Sequence, residues 1–423
     1  MEINRTRTLF CDLLGLPKGK YVPPDLAKSG HIGFAKGAFA TTFDRDLLTI
    51  PGTGVYDGLP DMDLFLENKR FKSWQDNTEI ALGVLKKNNT PFDLCSRSLL
   101  IKTIDDLKKI DLKAKVGIEY EAYVFEQDDE GIWSPYNTPG AFVYGTGPSN
   151  DPKNLIAKIW DTACQVGIPI ESINGEYDNG QFELTLSFDD ALIACDNSFL
   201  FKIMAKEIAL KEGLILSFMP KPIPDRGGSG LHINFSLEDK TNSNIIAPDG
   251  KLSDIAKNSV SGLLKHHESL SALLAPTVNS YDRLQPASMA GYWANWAEDH
   301  RLVTVRTSSS SPKSSRIEHR MADGSSNPYL AVSAVLQASL LGIKNNYLLP
   351  PQEDLDGLEN VRATRHVPSS LKNALEALEK DKTLRKSLNE LLCDAFITLK
   401  KDEAKRLEEK NVDEIREYYL PFI

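Results

Sequence analysis

One segment constrains the fold of this chain more than any other: VGIEYEAYVFE, at residues 116–126. β-branched and aromatic residues alternate along it, which predicts a strand. Glu119 and Glu121 lie two positions apart, so their side chains project from one face, roughly 7 Å apart at about 3.3 Å of rise per residue. The apolar neighbours Ile118 and Tyr120 favour a buried strand. Buried acids need partners, whereas acids on a solvated face do not, and this segment alone leaves both interpretations open.

The rest of the chain predicts a mixed α+β architecture. Its 423 residues exceed the usual size of one domain, so we expect two domains, or one large domain with an appendage. Residues 1–100 place bursts of Gly, Pro and Asp between short apolar segments, which is typical of a small β-rich domain. Residues 101–423 mix helical and strand-like periodicity and are predicted to form the second domain. Among the individual elements, residues 98–115 are predicted to form a helix that crosses into the second domain, and residues 301–306 a strand.

Charge and cysteine content exclude several classes of protein. The net charge is −10, so the chain as a whole does not attract nucleic acid or anionic lipid. The five cysteines are scattered without CxxC spacing, which argues against a disulfide framework and a thiolate zinc site. The first residues lack the apolar region of a signal peptide, and no apolar run is long enough to span a bilayer. We therefore expect a cytoplasmic protein with no nucleic-acid or membrane partner.

Three later segments carry further acids and a histidine. NGEYDNGQFELTL contains Glu176 and Glu183, and alone it predicts a hairpin. GGSGLHINFSL places His232 in an alternating strand, where a histidine is often a satisfied core residue. SPKSSRIEHRMADGSSNPYL contains Glu318 between two arginines, an alternation that suits a surface charge ladder equally well.

If these acids converge, electrostatics requires a cation. Two carboxylates about 4 Å apart repel by roughly 4 kcal/mol at an effective dielectric constant of 20, so several of them would not stay ionised without one. Glutamates with one histidine and no thiolates form a hard, oxygen-rich ligand set that suits Mg²⁺ or Mn²⁺. Spacing along the sequence does not decide whether they converge.

Six segments follow one another in the chain: VGIEYEAYVFE, NGEYDNGQFEL, GGSGLHINFSL, NSYDRL, WAEDHRLVTVR and SPKSSRIEHRMADGSSNPYLA. Taken together and in this order, they resemble the signature motifs of the glutamine synthetase family. The resemblance covers about residues 116–345, and FCDLLGLPKGKYVP near the N-terminus looks like the β-grasp domain of that family. It implies a β-grasp domain at 1–100 and, at 101–423, a catalytic domain in which helices flank an antiparallel sheet.

The resemblance also implies roles for individual residues. One metal site would consist of Glu121, Glu176 and Glu183, and the other of Glu119, His232 and Glu318. Glutamate would bind to Arg283, Arg320 and the backbone of Gly228, with arginine suited to carboxylates because its guanidinium donates two parallel hydrogen bonds. ATP would bind to Ser236, Arg306, Lys313 and Arg316, and Arg301 would act on the phosphates during catalysis.

The implied reaction is an ATP-dependent ligation. The γ-carboxylate of glutamate attacks the γ-phosphorus of ATP, and an amine displaces phosphate from the resulting γ-glutamyl phosphate. The amine must first lose a proton, which at an amine pKa near 10.4 costs roughly 4–5 kcal/mol at pH 7. Relatives assemble as two stacked rings of six with shared active sites, so we expect a homo-oligomer in which Asp57 of another subunit lies at the amine site, with Asp61 and Asp63 as rivals.

Two positions depart from the family pattern. The flap glutamate that binds ammonium in glutamine synthetases, six residues after the arginine of NSYKRL, is Met289 here, and LQPASMAGYW contains no acid. A thioether near Tyr292 and Trp293 suits an alkyl group better than a hydrated cation. We therefore expect a small alkylamine such as methylamine as substrate. The alternatives are a glutamine synthetase that uses ammonia and a structural protein without catalysis. Asn234 replaces the second histidine of HxH, which leaves the packing of adenine open.

Overall fold

The N-terminal part of the chain forms a sheet of its own. A computed structural model describes residues 2–354 and 361–423. The strand order is β2-β1-β5-β4-β3, with β6 paired to β5, and all neighbours are antiparallel except β1 and β5. The strands are β1 (Arg5–Cys11), β2 (Pro17–Val22), β3 (His31–Ala35), β4 (Asp61–Lys72), β5 (Thr78–Lys87) and β6 (Thr90–Pro91), with helix α1 (Pro24–Lys28) and 3₁₀ helices at Lys36–Phe39 and Val55–Asp57.

A larger sheet carries the candidate site. Its order is β14-β15-β16-β13-β7-β10-β9, and β8, β11 and β12 also pair with the long strand β7. The pairs are antiparallel except β14 with β15. The strands are β7 (Lys113–Gln127), β8 (Trp133–Pro135), β9 (Ile170–Gly175), β10 (Gln181–Leu186), β11 (Asp189–Asp190), β12 (Leu214–Ser217), β13 (Leu231–Glu238), β14 (Trp296–Glu298), β15 (Val305–Ser308) and β16 (Arg316–His319).

Helices supply the rest of the core. α8 is buried over most of its length, begins at Pro328 and is capped by Asn327, whose side chain accepts from the N–H of Leu330. Gly262 of α5 lets the two helices approach closely, because a Cβ there would lie 2.1 Å from a backbone oxygen of α8. The helices are α2 (Ser96–Lys108), α3 (Leu155–Val166), α4 (Ala191–Lys211), α5 (Asp254–Lys265), α6 (His267–Leu274), α7 (Ser280–Arg283), α8 (Pro328–Asn345), α9 (Leu371–Lys380), α10 (Lys382–Leu388), α11 (Glu390–Arg406) and α12 (Val412–Tyr419).

The two faces of β7 differ in burial as the alternation of its sequence predicts. Ile118, Tyr120, Ala122 and Val124 are 0–1% exposed and belong to the hydrophobic core. The intervening acids are partly exposed on the opposite face. Strand β7 therefore buries its apolar face and presents its acids to a cleft.

Two predicted elements were wrong in extent. The helix predicted at 98–115 ends at Lys108, because Asp111 adopts a left-handed conformation (φ 60°) and β7 begins at Lys113. The strand predicted at 301–306 begins only at Val305. The side chain of Asn295 accepts from the backbone N–H of Thr304 at 3.0 Å, which holds the preceding residues in a turn.

Helix α2 spans the predicted boundary at residue 100 and joins the two parts of the chain. Arg97 donates to both oxygens of Asp196 on α4, each at 2.8 Å, and to Glu67 on β4 at 2.6 Å. The division at residue 100 stays a prediction. Among the residues that the structure describes, none of the helices combines the length and the apolar character needed to cross a membrane.

Candidate active site

Strand register brings acids from distant segments to β7. In the β7–β10 ladder Glu183 lies opposite Glu121, and in the β7–β13 ladder His232 lies opposite Glu119. Directly opposed residues of antiparallel strands have Cβ atoms about 4.5–5.5 Å apart, close enough for their side chains to interact. Glu318 on β16 lies one strand further along the same sheet.

The six residues expected to bind metal come together in two groups of three. Within each group, one possible ligand atom from every residue lies within 4.8 Å of the others. The groups adjoin, because His232 Nε2 is 3.8 Å from a carboxylate oxygen of Glu121. We call Glu119, His232 and Glu318 the histidine cluster, and Glu121, Glu176 and Glu183 the carboxylate cluster.

The protein itself compensates the charge of the histidine cluster. His232 Nδ1 is 3.2 Å from Glu119 and 3.7 Å from Glu318, and Arg306 is 3.1 Å from Glu318. Arg320 also donates to Glu318. Burial raises the pKa of Glu318, but His232 and the two arginines outweigh it and lower that pKa to about 2. Both carboxylates of this cluster are therefore ionised near neutral pH, since the pKa of Glu119 is lowered as well, against burial, chiefly by His232.

The carboxylate cluster lacks such compensation. Gly230 donates its backbone N–H to Glu121 at 2.6 Å. No Lys or Arg side chain in the described part of the chain forms an ion pair with any of the three acids. Burial, together with Glu121 and Glu183, raises the pKa of Glu176 to about 7. Burial and neighbouring acids raise the pKa of Glu183 too.

Both clusters fit divalent cations. Three converging carboxylates without a counter-charge present hard oxygen donors that a cation would bring back to full ionisation. The histidine cluster offers two carboxylates and an imidazole, a set that Mg²⁺ or Mn²⁺ accepts. The donor sets of both clusters, and the raised pKa values of Glu176 and Glu183, thus agree with two metal sites.

The residues expected to bind glutamate meet beside these clusters. Buried Arg283 donates to the backbone oxygen of Met321 at 2.8 Å and of Arg320 at 3.3 Å. The glycine turn, residues 227–230, lies directly on Arg283. A Cβ at Gly228 would be 2.7 Å from Arg283 Cγ, and one at Gly230 would be 2.6 Å from its Nη2. Only glycine allows this approach.

Glu119 also lines a cavity of about 230 Å³. Three of the residues expected to bind ATP line it: Ser236, Lys313 and Arg316. The fourth, Arg306, lies in the histidine cluster through its contact with Glu318. The order of cavity, clusters and buried Arg283 suits a nucleotide whose phosphates point toward a carboxylate substrate.

The structure does not bring three of the expected residues into contact with the clusters. Among the described residues, Arg301 has no ion pair with either cluster and is exposed in the turn before β15. Asp57 lies in the 3₁₀ helix of the N-terminal part. Met289 is 40% exposed in the segment after α7, with φ 58°. Their expected roles stay predictions.

Two residues of the site were not assigned these contacts from sequence. Asn234 donates to Glu119 at 2.8 Å and accepts from Arg316 Nε at 3.0 Å, so it joins the histidine cluster to the nucleotide cavity. Its position two residues after His232, on the same strand face, was the available signal. Asp178 accepts from Tyr123 Oη at 3.0 Å and from the N–H of Gly227 at 2.5 Å. No pattern in the sequence indicated that contact.

Comparison with known proteins agrees with the family that the sequence motifs resemble. The family model for the catalytic domain of glutamine synthetase matches residues 93–419. The glutamine synthetase of Pyrococcus furiosus is 30% identical over 398 residues, which cover 92% of this chain and 88% of that protein. A glutamate–isopropylamine ligase of a Pseudomonas species is 31% identical over 317 residues, or 72% of this chain and 69% of the relative.

A solved structure described as apo GmaS without ligand has the same fold. Its TM-score is 0.84 at 27% identity, and the match covers 99% of this chain and 97% of that chain. The α+β fold expected from the motifs is thereby confirmed. The chain belongs to the glutamine synthetase family, whose members are ATP-dependent ligases that use divalent metal ions.

Proposed function

We propose that this ligase joins the γ-carboxylate of L-glutamate to a small alkylamine, with methylamine as the first candidate, and forms a γ-glutamyl amide. The observation that carries the proposal is Met289, which, counted from the arginine of the NSYDRL motif, corresponds by resemblance to the glutamate that binds ammonium in glutamine synthetases. Residues 284–293 contain no acid that could replace it. An ammonium ion would find no carboxylate on this segment, whereas an alkyl group would find an apolar side chain.

The segment that carries Met289 lies against the backbone of the expected glutamate site. Ala287, Met289 and Gly291 have φ values of 61°, 58° and 80°, so the segment is tightly coiled. Gly291 contacts the main chain after Arg320, because a Cβ there would lie 3.0 Å from Met321 N and Cα. The same Met321 accepts a hydrogen bond from Arg283. Met289 is therefore near the residues proposed to hold glutamate.

An aromatic group follows Met289 and supports an apolar amine site. Tyr292 stacks on His366 with ring centroids 5.0 Å apart and an interplanar angle of 4°. Trp293 packs edge-on against both rings, at 4.9 and 5.7 Å. We propose that these rings border the amine site, where they would favour alkylamines over ammonium because aromatic rings offer a large apolar surface.

In the proposed reaction, Arg283, Arg320 and the backbone at Gly228 orient glutamate. Its γ-carboxylate oxygen attacks the γ-phosphorus of ATP and ADP leaves; the amine nitrogen then attacks the acyl carbon, phosphate leaves, and the nitrogen loses a proton. Divalent ions, Mg²⁺ or Mn²⁺, would offset the negative charge of the phosphates. Arginines near the nucleotide would stabilise the charge that develops on the transferred group. The residues proposed for phosphate are Ser236, Arg301, Arg306, Lys313 and Arg316.

Assembly belongs to the same proposal. We propose a homo-oligomer of two stacked hexameric rings. In it, Asp57 of a neighbouring subunit would reach the amine site and line it together with Met289. The five cysteines have no disulfide partner, Cys164 being the exposed one, which suits the proposed cytoplasmic location.

The test is a panel of amines at fixed glutamate and ATP in Mg²⁺ or Mn²⁺: ammonia, methylamine, ethylamine, isopropylamine, ethanolamine and putrescine. ADP release and amide formation are both measured. We expect a higher kcat/KM with an alkylamine than with ammonia. In Met289→Glu the ratio should move toward ammonia by about 10-fold or more, the scale of one substrate contact.

Met289→Gln is the matched control, because it has the size of glutamate without the charge, and its preference should stay near that of the wild type. A kcat/KM for ammonia equal to or above that of every alkylamine would contradict the proposal. It would favour glutamine synthetase activity, for which the Pyrococcus furiosus relative is named. No turnover with any amine would favour the non-catalytic alternative.

A further inference from the structure

A second cavity lies away from both metal clusters, between the N-terminal part and helix α4. Its volume is about 570 Å³, within the range of small-molecule sites. The turn and strand start at Gly15–Lys18 form one wall, and the edge strand Leu214–Leu216 with residues Leu420–Phe422 forms another. Helix α4 forms its floor. None of the residues assigned to glutamate, ATP or metal lines it.

The floor of the cavity is apolar apart from two lysines and Glu207. Phe199, Ile203 and Leu210 of α4 line it at helical spacing, so their side chains share one face. Lys202 and Lys206 lie on that same face. Leu210 is 69% exposed, a large apolar side chain at the mouth of the cavity.

The two lysines differ in their partners. Lys202 donates to the backbone oxygen of Gly324, and its Nζ lies 5.3 Å from the ring centroid of Phe218. Lys206 makes no hydrogen bond, ion pair or ring contact with any residue in the described ranges. Burial and the charge of Lys202 lower the pKa of Lys206. An ammonium in an apolar cavity without a counter-charge is costly, so an anion would stabilise it.

The nearby acids do not supply that anion. Glu207 follows Lys206 in sequence, but its carboxylate binds Arg7 at 2.7 and 3.1 Å and the indole N–H of Trp74 at 2.6 Å. Lys18, at another wall, lies 3.4 Å from Asp12. Neither of these carboxylates pairs with Lys206.

We propose that this cavity binds a small organic monocarboxylate, whose apolar body packs on Phe199, Ile203 and Leu216 while its carboxylate pairs with Lys206. The apolar walls disfavour inorganic phosphate, which would lose hydration without gaining donors on most sides. A neutral molecule of the same shape would leave the ammonium unpaired. The site is separate from the ligase reaction and does not depend on which amine that reaction uses.

The test uses hexanoate as the probe, titrated calorimetrically into the full-length protein in the presence of saturating glutamate, which keeps hexanoate out of the substrate site. Hexan-1-ol has the same chain without the charge, and inorganic phosphate has charge without the chain. We expect hexanoate to bind at least about 10-fold more tightly than either, the scale of a charge-assisted hydrogen bond.

Variants of α4 separate this site from other modes of binding. Lys206→Met should weaken hexanoate binding at least about 10-fold, and Lys206→Arg should retain it. Lys211→Met, an exposed lysine on the same helix, removes the same charge and should change nothing. All three should keep the ligase activity of the wild type, which also shows that they fold.

Three results would overturn the proposal. They are equal affinities for hexanoate and hexan-1-ol, unchanged hexanoate binding in Lys206→Met, and no binding up to about 10 mM hexanoate. The third result includes the case in which a second copy of the chain covers the cavity.

Discussion

The two candidate metal clusters share strand β7 but differ in how their buried charge is balanced. In the histidine cluster, Arg306 and Arg320 contact Glu318, and its pKa is lowered to about 2. In the carboxylate cluster three acids face one another, and the pKa of Glu176 is raised to about 7. Arginines of the chain balance the first cluster, whereas the second has no Lys or Arg ion-pair partner among the described residues.

This difference indicates how each cluster contributes to stability. A buried carboxylate paired with arginines becomes part of the fold, because its removal leaves those cations unpaired. Carboxylates that repel one another oppose folding until a cation joins them. We therefore expect substitutions in the histidine cluster to impair folding and substitutions in the carboxylate cluster to impair metal binding and activity.

The largest expected effect is on activity in the carboxylate cluster. Glu183→Gln removes one charge with little change in shape, and we expect amide formation to fall by at least about 1000-fold, the scale of electrostatic stabilisation in phosphoryl transfer. ADP release in Mg²⁺ measures it. Glu130→Gln, at an exposed position, is the matched control. Activity of Glu183→Gln within tenfold of the wild type would show that this cluster does not bind the catalytic cation.

The next effect concerns stability and separates the clusters directly. Glu318→Ala leaves Arg306 and Arg320 without their carboxylate, and we expect the free energy of unfolding to fall by about 3–5 kcal/mol. Glu183→Ala relieves repulsion and should leave the metal-free protein as stable as the wild type or more so. Urea unfolding with a chelator, at one protein concentration, compares them. Similar losses in both variants would refute the contrast drawn above.

The third effect is a pH dependence that belongs to one cluster only. Because the pKa of Glu176 is raised from 4.5 to about 7, the folded protein holds a proton there that the unfolded chain releases. The stability of the metal-free protein should therefore be highest below about pH 4.5 as far as this group is concerned, and decrease as pH rises to about 7. A metal ion must displace the same proton, so Mn²⁺ affinity should weaken about tenfold per pH unit below 7.

Calorimetric titration with Mn²⁺ from pH 5.5 to 8 measures this dependence. Glu176→Gln cannot bind the proton, so both the stability of the metal-free protein and the Mn²⁺ affinity should depend less on pH, although the substitution also weakens Mn²⁺ binding. Glu318, with its pKa near 2, does not titrate in this range. A wild-type Mn²⁺ affinity that is constant from pH 5.5 to 7 would contradict the raised pKa of Glu176.

Local patterns in the sequence predicted the strand that carries the site but not its surroundings. The alternation of residues 116–126 predicted β7, and the family motifs named six candidate ligands that the structure brings together. Residue type alone could not distinguish the clusters, because both are mostly glutamate. The distinction comes from β15 and β16, where Arg306 lies opposite Glu318 in the ladder. Strand register is a long-range property, and no local pattern encodes it.

The predicted ends of two elements were wrong for a related reason. The helical periodicity of residues 98–115 continues past Lys108, yet the left-handed Asp111 and the pairing of β7 end the helix earlier. Tertiary pairing overrode local propensity there. Likewise, the Asn295 side chain that holds residues 301–304 in a turn could not be assigned from spacing.

The smallest expected effect concerns how the carboxylate cluster is positioned relative to glutamate. Asp178 follows Glu176 by two residues and accepts from the N–H of Gly227, next to Gly228. Tyr123 donates to the same carboxylate. Asp178→Asn weakens both contacts, and we expect the KM for glutamate to rise a few-fold, by about 1 kcal/mol or less in binding, with kcat and Mn²⁺ affinity unchanged.

Tyr123→Phe removes one of the two donors and should have a smaller effect of the same kind. Comparing the KM for glutamate with the Mn²⁺ affinity in these variants decides whether Asp178 acts on the glycine turn or on the metal. If Mn²⁺ affinity falls along with glutamate affinity, Asp178 orients Glu176, and the carboxylate cluster is held by the chain more firmly than its raised pKa values indicate. If only KM changes, the cluster is fixed by strand register, and its charge is balanced by the cation alone.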